Sequence, residues 1–277
     1  MDMKTFKADK SEKLSKFLLS CYGADLSYST LRKLIRNKDI KVNGKRVGVD
    51  VLLSANDQVI VYYDGERLYT PVFESCDVIV FDKPPTLTSE DFELKLNNQG
   101  YNVKLCHRLD RNTQGLLVFA KTDIGYQELL KAFKERTIDK YYLAEVYGKL
   151  EEPKKTLTSY LLKNADIGLV KIFDKEVNGS EKIITQYEVV EERERTSVVK
   201  VKLITGKTHQ IRAHFSHIGN FVIGDGKYGD NEFNKALKVK RQRLVSYFLK
   251  FNFDKSSPLN YLNGKEVKTT NIPFIKQ

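Results

Sequence analysis

The chain has 277 residues, enough for two domains of ordinary size. Hydrophobic residues make up 41% and charged residues 30%, a globular balance, and no apolar run is long enough to span a bilayer. The 47 Lys and Arg against 36 Asp and Glu leave a formal charge of +11, which favours a polyanionic partner. Met1 to Lys16 mixes charges with single apolar residues and lacks a signal-peptide core, so a cytoplasmic protein is expected. Cys21, Cys76 and Cys106 form no Cys-x-x-Cys pair. Neither a disulfide framework nor a zinc knuckle is indicated, and each is expected to be a buried small hydrophobe.

In chain order, Leu14, Phe17, Leu18 and Leu19 recur at helical spacing. Asp25 and Ser27 offer caps before a second helical pattern, Leu31 to Arg36. Ile40 to Val47 reads as a hairpin turning at Asn43-Gly44, and Gln58 to Tyr63 as a further strand. Between Arg32 and Arg46 seven basic residues stand with one acidic residue, Asp39. The ordinary fate of a charge run is a solvated face, but a basic helix followed by a hairpin also suits gripping a folded RNA by its phosphates.

Asp64 to Arg67 reads as a polar linker, which divides the chain into 1–68 and 69–277. Asp77 to Asp82 is a short buried strand stopped by Pro84-Pro85, and Gly115 to Lys121 is a second apolar strand. Tyr126 to Arg136 reads as an amphipathic helix. Lys140 to Gly148 reads as a strand with Tyr141, Leu143 and Glu145 on one face and Tyr142, Ala144 and Val146 on the other. Ile183 to Val190 and Ser197 to Ile204 form a hairpin pair. The pattern predicts an α+β fold with a largely antiparallel sheet.

The chemistry concentrates in His107-Arg108-Leu109-Asp110-Arg111-Asn112-Thr113-Gln114-Gly115. A carboxylate between two arginines is favoured as the anion and can serve as nucleophile or base on a polyanion. Taken alone, Asp110 reads as a surface ion pair of little consequence. A second segment, Thr205-Gly206-Lys207-Thr208-His209-Gln210-Ile211-Arg212-Ala213-His214, follows a strand. Gly206 permits a tight turn, Thr208 is placed to cap a helix reaching His217, and Gly219 is placed to end it. A metal site on His209, His214 and His217 is rejected, because the first two point to different faces and no acidic or Cys ligand accompanies them. Arg212, four residues before Ser216, looks along one helix face.

These segments carry two resemblances. Ser27 to Ile35 with Ile40 to Val47 resembles the S4 RNA-binding domain, with Tyr28 where that family usually has arginine. His107 to Gly115 together with Gly206 to Arg212 resembles the RluA family of pseudouridine synthases. Lys83-Pro84-Pro85, Lys140 to Gly148 and Ile218 to Gly229 agree with it in order. Gln114 stands for a usual serine, Lys207 for a usual arginine, and Thr86 for a usual glycine.

The resemblance implies a small S4-type module followed by a mostly antiparallel-sheet synthase domain. The implied enzyme is an isomerase that converts uridine in RNA to pseudouridine with no metal and no organic cofactor. Asp110 is then the catalytic aspartate, Arg212 its partner, and Tyr142 the residue beneath the target base. Arg108 fills the place of the flipped nucleotide, and Lys83 and Asp225 support the pocket. The module implies RNA contacts at Arg32, Lys33, Arg36, Lys41, Asn43, Lys45 and Arg46. The expected partner is large-subunit ribosomal RNA (23S rRNA), with tRNA as the alternative substrate, no membrane, and a monomeric enzyme. The rival class is a non-catalytic S4-type RNA-binding or ribosome-assembly factor. The basic stretch Lys235, Lys238, Lys240, Arg241 and Arg243 is open between a further RNA contact and a solvated face.

Overall fold

The structure, a computed structural model, describes residues 3–23, 26, 28–63, 69–164 and 168–275. The chain divides into two compact units, Met1–Leu68 and Tyr69–Gln277. Asp25, Ser27 and the expected linker at 64–67 lie outside the described residues.

In the first unit, helices Leu14–Tyr22 and Tyr28–Arg36 share one core with a four-stranded antiparallel sheet. Leu31, Leu34 and Ile35 are buried while Arg32, Lys33 and Arg36 stay exposed, as a 3.6-residue repeat requires. The hairpin Ile40–Val42 and Lys45–Val47 turns through Asn43 (φ 48°) and Gly44 (φ 78°). Two consecutive positive φ values define the turn that matches strand twist, which is why Asn-Gly stands there. The Asn43 side chain is committed internally: it donates to Asp57 Oδ1 at 2.8 Å and accepts from the Gln58 N–H at 2.9 Å.

The second unit is built on an eleven-stranded mixed sheet. One interior strand, Gln114–Ala120, is buried at every residue. Leu117 and Phe119 enter one core, and Leu116, Val118 and Ala120 enter another on the opposite face. A strand covered on both sides reads as an unbroken apolar run. The helix Asp123–Glu135 covers the second core with Leu129 and Ala132. It begins three residues before the expected Tyr126, because Thr122 Oγ1 accepts from the Gly125 N–H at 3.0 Å and caps it. The helix Ser89–Asn98, capped by Thr88, was not legible, since only Ser89, Phe92 and Leu96 of its ten residues are buried.

Strand pairing brings the chemistry together. Gln114–Ala120 pairs antiparallel with Val78–Lys83 and parallel with Leu244–Phe251. Leu244–Phe251 in turn pairs antiparallel with Ile138–Tyr147, setting Ser246 opposite Tyr142. At the parallel junction Gly115 lies against Ser246, where a Cβ would meet the Ser246 carbonyl oxygen at 2.2 Å. Only glycine admits that approach, and it places the Asp110 turn beside the Tyr142 strand.

Two expectations are corrected. Thr208 does not cap the helix Gln210–His217; the cap position is His209, with left-handed backbone at φ 55° and no capping side-chain bond. The turn is closed instead by the Gln210 side chain, whose Oε1 accepts from Thr205 Oγ1 at 2.9 Å and the Lys207 N–H at 3.1 Å. Gly219, at φ 82°, does lie at the helix end. Cys106 is buried, but Cys21 and Cys76 are exposed. Among the described residues no helix is long and apolar enough to cross a membrane.

Candidate active site

Asp110 occupies the turn before Gln114–Ala120. Its carbonyl accepts from the Thr113 N–H at 3.0 Å. The residue before it is clamped: Leu109 N–H donates to Ser89 Oγ at 2.9 Å, and Ser89 Oγ donates to the Leu109 carbonyl at 3.1 Å. Thr113 Oγ1 receives Gln242 Nε2 at 3.0 Å. Ser89 and Gln242 carried no sequence signal of their own, and they matter through partners far away in the chain.

The arginines flanking Asp110 do not hold it. Arg108, 74% exposed at its side chain, pairs with Glu90 at 2.9 Å. Arg111 Nη1 donates to the Thr86 carbonyl at 3.3 Å. The guanidinium that reaches the carboxylate is Arg212, whose Nη1 donates to Asp110 Oδ2 at 2.7 Å. Arg212 is 6% exposed at its side chain, and Asp110 is 23% exposed and open to the cleft.

Arg212 is itself gripped by Asp225, which accepts from Nε at 2.6 Å and from Nη2 at 2.9 Å. This two-pronged bond is the strong form of arginine–carboxylate contact. Asp225 Oδ1 also accepts from the N–H groups of Lys227 at 2.8 Å and Tyr228 at 3.1 Å. Burial alone would push the Asp225 carboxyl up, but the Arg212 bond and these amides hold it below the usual carboxylate range. Burial likewise works against charge on Arg212, and the bonds and field of Asp225 and Asp110 more than offset it.

Tyr142 lies on the inward face of its strand, buried in the core with Ala144 and Val146. Burial, reinforced by the Asp110 charge, pushes its phenol above the ordinary range, so it is held neutral. Lys83 is fully buried, and its ammonium donates to the carbonyls of Pro84 and Leu87 at 2.9 Å and of Arg111 at 3.2 Å. Burial pushes it down to about 8, against the attraction of Asp110. Three carbonyls absorb its three protons and tie the Pro84 loop to the Asp110 turn. Thr86 stands in that loop at φ 79°, a left-handed conformation that favours glycine.

His209 faces Asp110, with Nε2 3.9 Å from Oδ2. Its Nδ1 meets the Tyr228 hydroxyl at 2.9 Å, and that hydroxyl accepts from the Val170 N–H at 2.9 Å. A Tyr228 hydroxyl that donates to Nδ1 leaves the imidazole N–H on Nε2, toward the cleft. Burial lowers the His209 pKa, with Asp110 opposing. His214 is a satisfied core residue, between Thr185 Oγ1 at 3.0 Å and Ser159 Oγ at 3.2 Å. Among the described residues no group of His, Cys, Asp and Glu is arranged to hold a metal ion.

A cleft of about 830 Å³ opens above these residues, lined by Arg108, Asp110, Lys140 and His209 among others. A smaller cavity of about 90 Å³ adjoins it, lined by Asp110, Tyr142, Arg212 and Leu244. The structure thus brings Asp110, Arg212, Tyr142 and Asp225 together. Lys83 lies behind them and Arg108 at the rim.

Asp110 as the one carboxylate lining the small cavity, an arginine braced from behind and a buried aromatic beneath a basic cleft suit work on one base of a polyanion. The model of the RNA pseudouridylate synthase family matches residues 77–217, just over half of the sequence, and the chain belongs to that family. It is therefore an isomerase acting on RNA, as the RluA-type motifs imply. A ribosomal large subunit pseudouridine synthase C of Rickettsia bellii is 29% identical over 261 residues, covering 82% of this chain and 86% of the relative. The protein of that name in Vibrio parahaemolyticus is 28% identical over 238 residues, covering 76% and 74%. Among solved structures, human RNA pseudouridylate synthase domain containing 1 superposes with a TM-score of 0.65 at 26% identity, covering 78% of this chain and 88% of that one.

Proposed function

We propose that this chain isomerises uridine in large-subunit ribosomal RNA, with Asp110 as its catalytic carboxylate. The observation that carries the reading is the 2.7 Å bond from Arg212 to Asp110 at the floor of a basic cleft, beside Tyr142. The similarity to proteins named for large-subunit rRNA supports the choice of substrate.

The reaction breaks the N1–C1′ bond, rotates the uracil and forms a C5–C1′ bond. C5 gives up its proton and N1 gains one, so no atom is lost or oxidised. A stacked uridine must first be extruded, at a cost of a few kcal/mol. A neutral tyrosine face under the base returns about 1–3 kcal/mol by stacking. Asp110 is aimed by Arg212, and Arg212 is fixed by Asp225. Arg108, exposed at the rim, is placed to enter the gap left by the base.

The first unit serves in this reading as an S4-type RNA-binding arm. Arg32, Lys33 and Arg36 share the exposed side of one helix, and Lys45 lies on the adjoining hairpin. Lys41 and Arg46 are directly paired across that hairpin. Like charges opposite one another destabilise a hairpin, and both cations lie 5.4 Å from the Tyr62 ring. An RNA phosphate relieves that repulsion. Asn43, whose side chain braces the turn, drops out of the contact set.

The test is pseudouridine mapping of total RNA from cells with and without the gene. Loss of one or a few large-subunit rRNA signals is expected. Loss confined to tRNA would overturn the substrate, and no change in any RNA of cells that express the protein would favour a binding factor.

A further inference from the structure

Lys140 stands two residues before Tyr142 on one strand, so the two side chains leave the same face about 7 Å apart. Both line the small cavity with Asp110 and Arg212, and Lys140 also lines the wider cleft. Its ammonium sits against Gly206, where an added Cβ would come within 3.2 Å of Nζ, and 5.5 Å from the Phe133 ring centroid. Gly206 thus leaves room for the lysine head as well as for the turn.

This ammonium has no counter-charge among the described residues. Among the described residues no carboxylate lies within 4.0 Å of it, although neighbouring lysines are paired, Lys202 with Asp139 at 2.8 Å and Lys207 with Glu181. Burial, with the nearby Arg136 charge, pushes the Lys140 pKa down, so its environment disfavours the cation it carries. Lys134, Arg136 and Lys163 line the same cleft without ion pairs among the described residues. A partly desolvated charge with no partner is costly to keep. It is retained where a ligand supplies the missing anion.

We propose that Lys140 is the anchor for a backbone phosphate of the extruded nucleotide, one step along the strand from the tyrosine under its base. The inference rests on the uridine reading of the cleft. An RNA substrate brings one phosphate per nucleotide, and a lysine ammonium binds phosphate as a compact point charge. With the base over Tyr142, the sugar at Asp110 and a phosphate on Lys140, three points fix the nucleotide. The other cleft cations extend the positive surface without touching the reacting atoms.

The experiment uses the full chain and a short RNA hairpin carrying the mapped uridine, in natural form and with a neutral methylphosphonate replacing the phosphodiester on its 5′ or 3′ side. For wild type, one of the two replacements is expected to lower kcat/KM by about tenfold. Lys140→Met is expected to lose about tenfold on the natural RNA and nothing more on that modified RNA, with a salt slope shallower by about one unit. Lys140→Arg is expected to keep the sensitivity to methylphosphonate. A Lys140→Met enzyme that melts like wild type yet loses a further tenfold on the modified RNA would overturn the assignment, as would an unchanged salt slope. Failure of wild type to make pseudouridine on the natural hairpin would instead sink the uridine reading itself.

Discussion

Arg212 donates to Asp110 across 2.7 Å and 102 residues of chain. The contact is the last link of a relay, because Asp225 holds the other edge of the same guanidinium and two backbone amides hold Asp225. Asp110 is thereby aimed by residues none of which is its neighbour in sequence.

Asp225 should behave as a positioning residue. Asp225→Asn keeps the shape but weakens the two-pronged bond, and a misplacement of about 1 Å in Arg212 is expected to lower kcat about 100-fold. Asp225→Ala leaves a buried guanidinium with half its partners, and a stability loss of about 3–5 kcal/mol is expected in urea titration. An Asp225→Asn enzyme with wild-type kcat would contradict the relay.

Acid should destabilise the fold through two imidazoles that the fold keeps neutral, His214 buried and His107 half-buried. His107 Nε2 accepts from the Val118 N–H at 3.0 Å and its ring stacks on Phe133. Burial lowers His107 to about 3 and His214 to about 4. In the unfolded chain both take up protons near 6.5. The folded-state values are depressed, so this stability is fully present above pH 6.5 and is lost as pH falls toward 4 and then 3. The slope approaches about 1.4 kcal/mol per pH unit for each histidine. Urea midpoints between pH 7 and 4.5 should fall less steeply in His107→Gln, and an unchanged slope would contradict the argument.

Thr86 sits at φ 79°, between its own N–H donating to the Arg111 carbonyl at 2.9 Å and its carbonyl accepting from Arg111. Thr86→Gly removes backbone strain of about 1–3 kcal/mol and adds about 0.5–1 kcal/mol of chain entropy in the unfolded state. A gain of about 1 kcal/mol is expected in thermal melts, and a loss of stability would contradict it.

Much of the frame was legible because local rules agreed with the global ones. Asn43-Gly44 turned where two positive φ values were needed, and the apolar run after Gly115 became the strand with both faces buried. The alternation put Tyr142, Ala144 and Val146 on one face, and that face entered the core. What escaped was set by partners distant in sequence. Arg108 and Arg111 flank Asp110 yet turn to Glu90 and Thr86, because a turn points successive side chains apart. Thr208 lost its capping role to the Gln210 side chain, which reaches back to Thr205 and Lys207. His209 and Tyr228 meet only once the helix packs against the strand holding Val170, and spacing carried no sign of it.

The central claim is that Asp110 performs the chemistry. Formation of the new C5–C1′ bond expels the hydrogen on C5, so RNA carrying tritium at uracil C5 reports turnover directly. Purified Asp110→Asn, compared with wild type on large-subunit rRNA, is predicted to release no tritium above background while binding the RNA with near wild-type affinity. Tritium release at the wild-type rate from that variant would contradict the account.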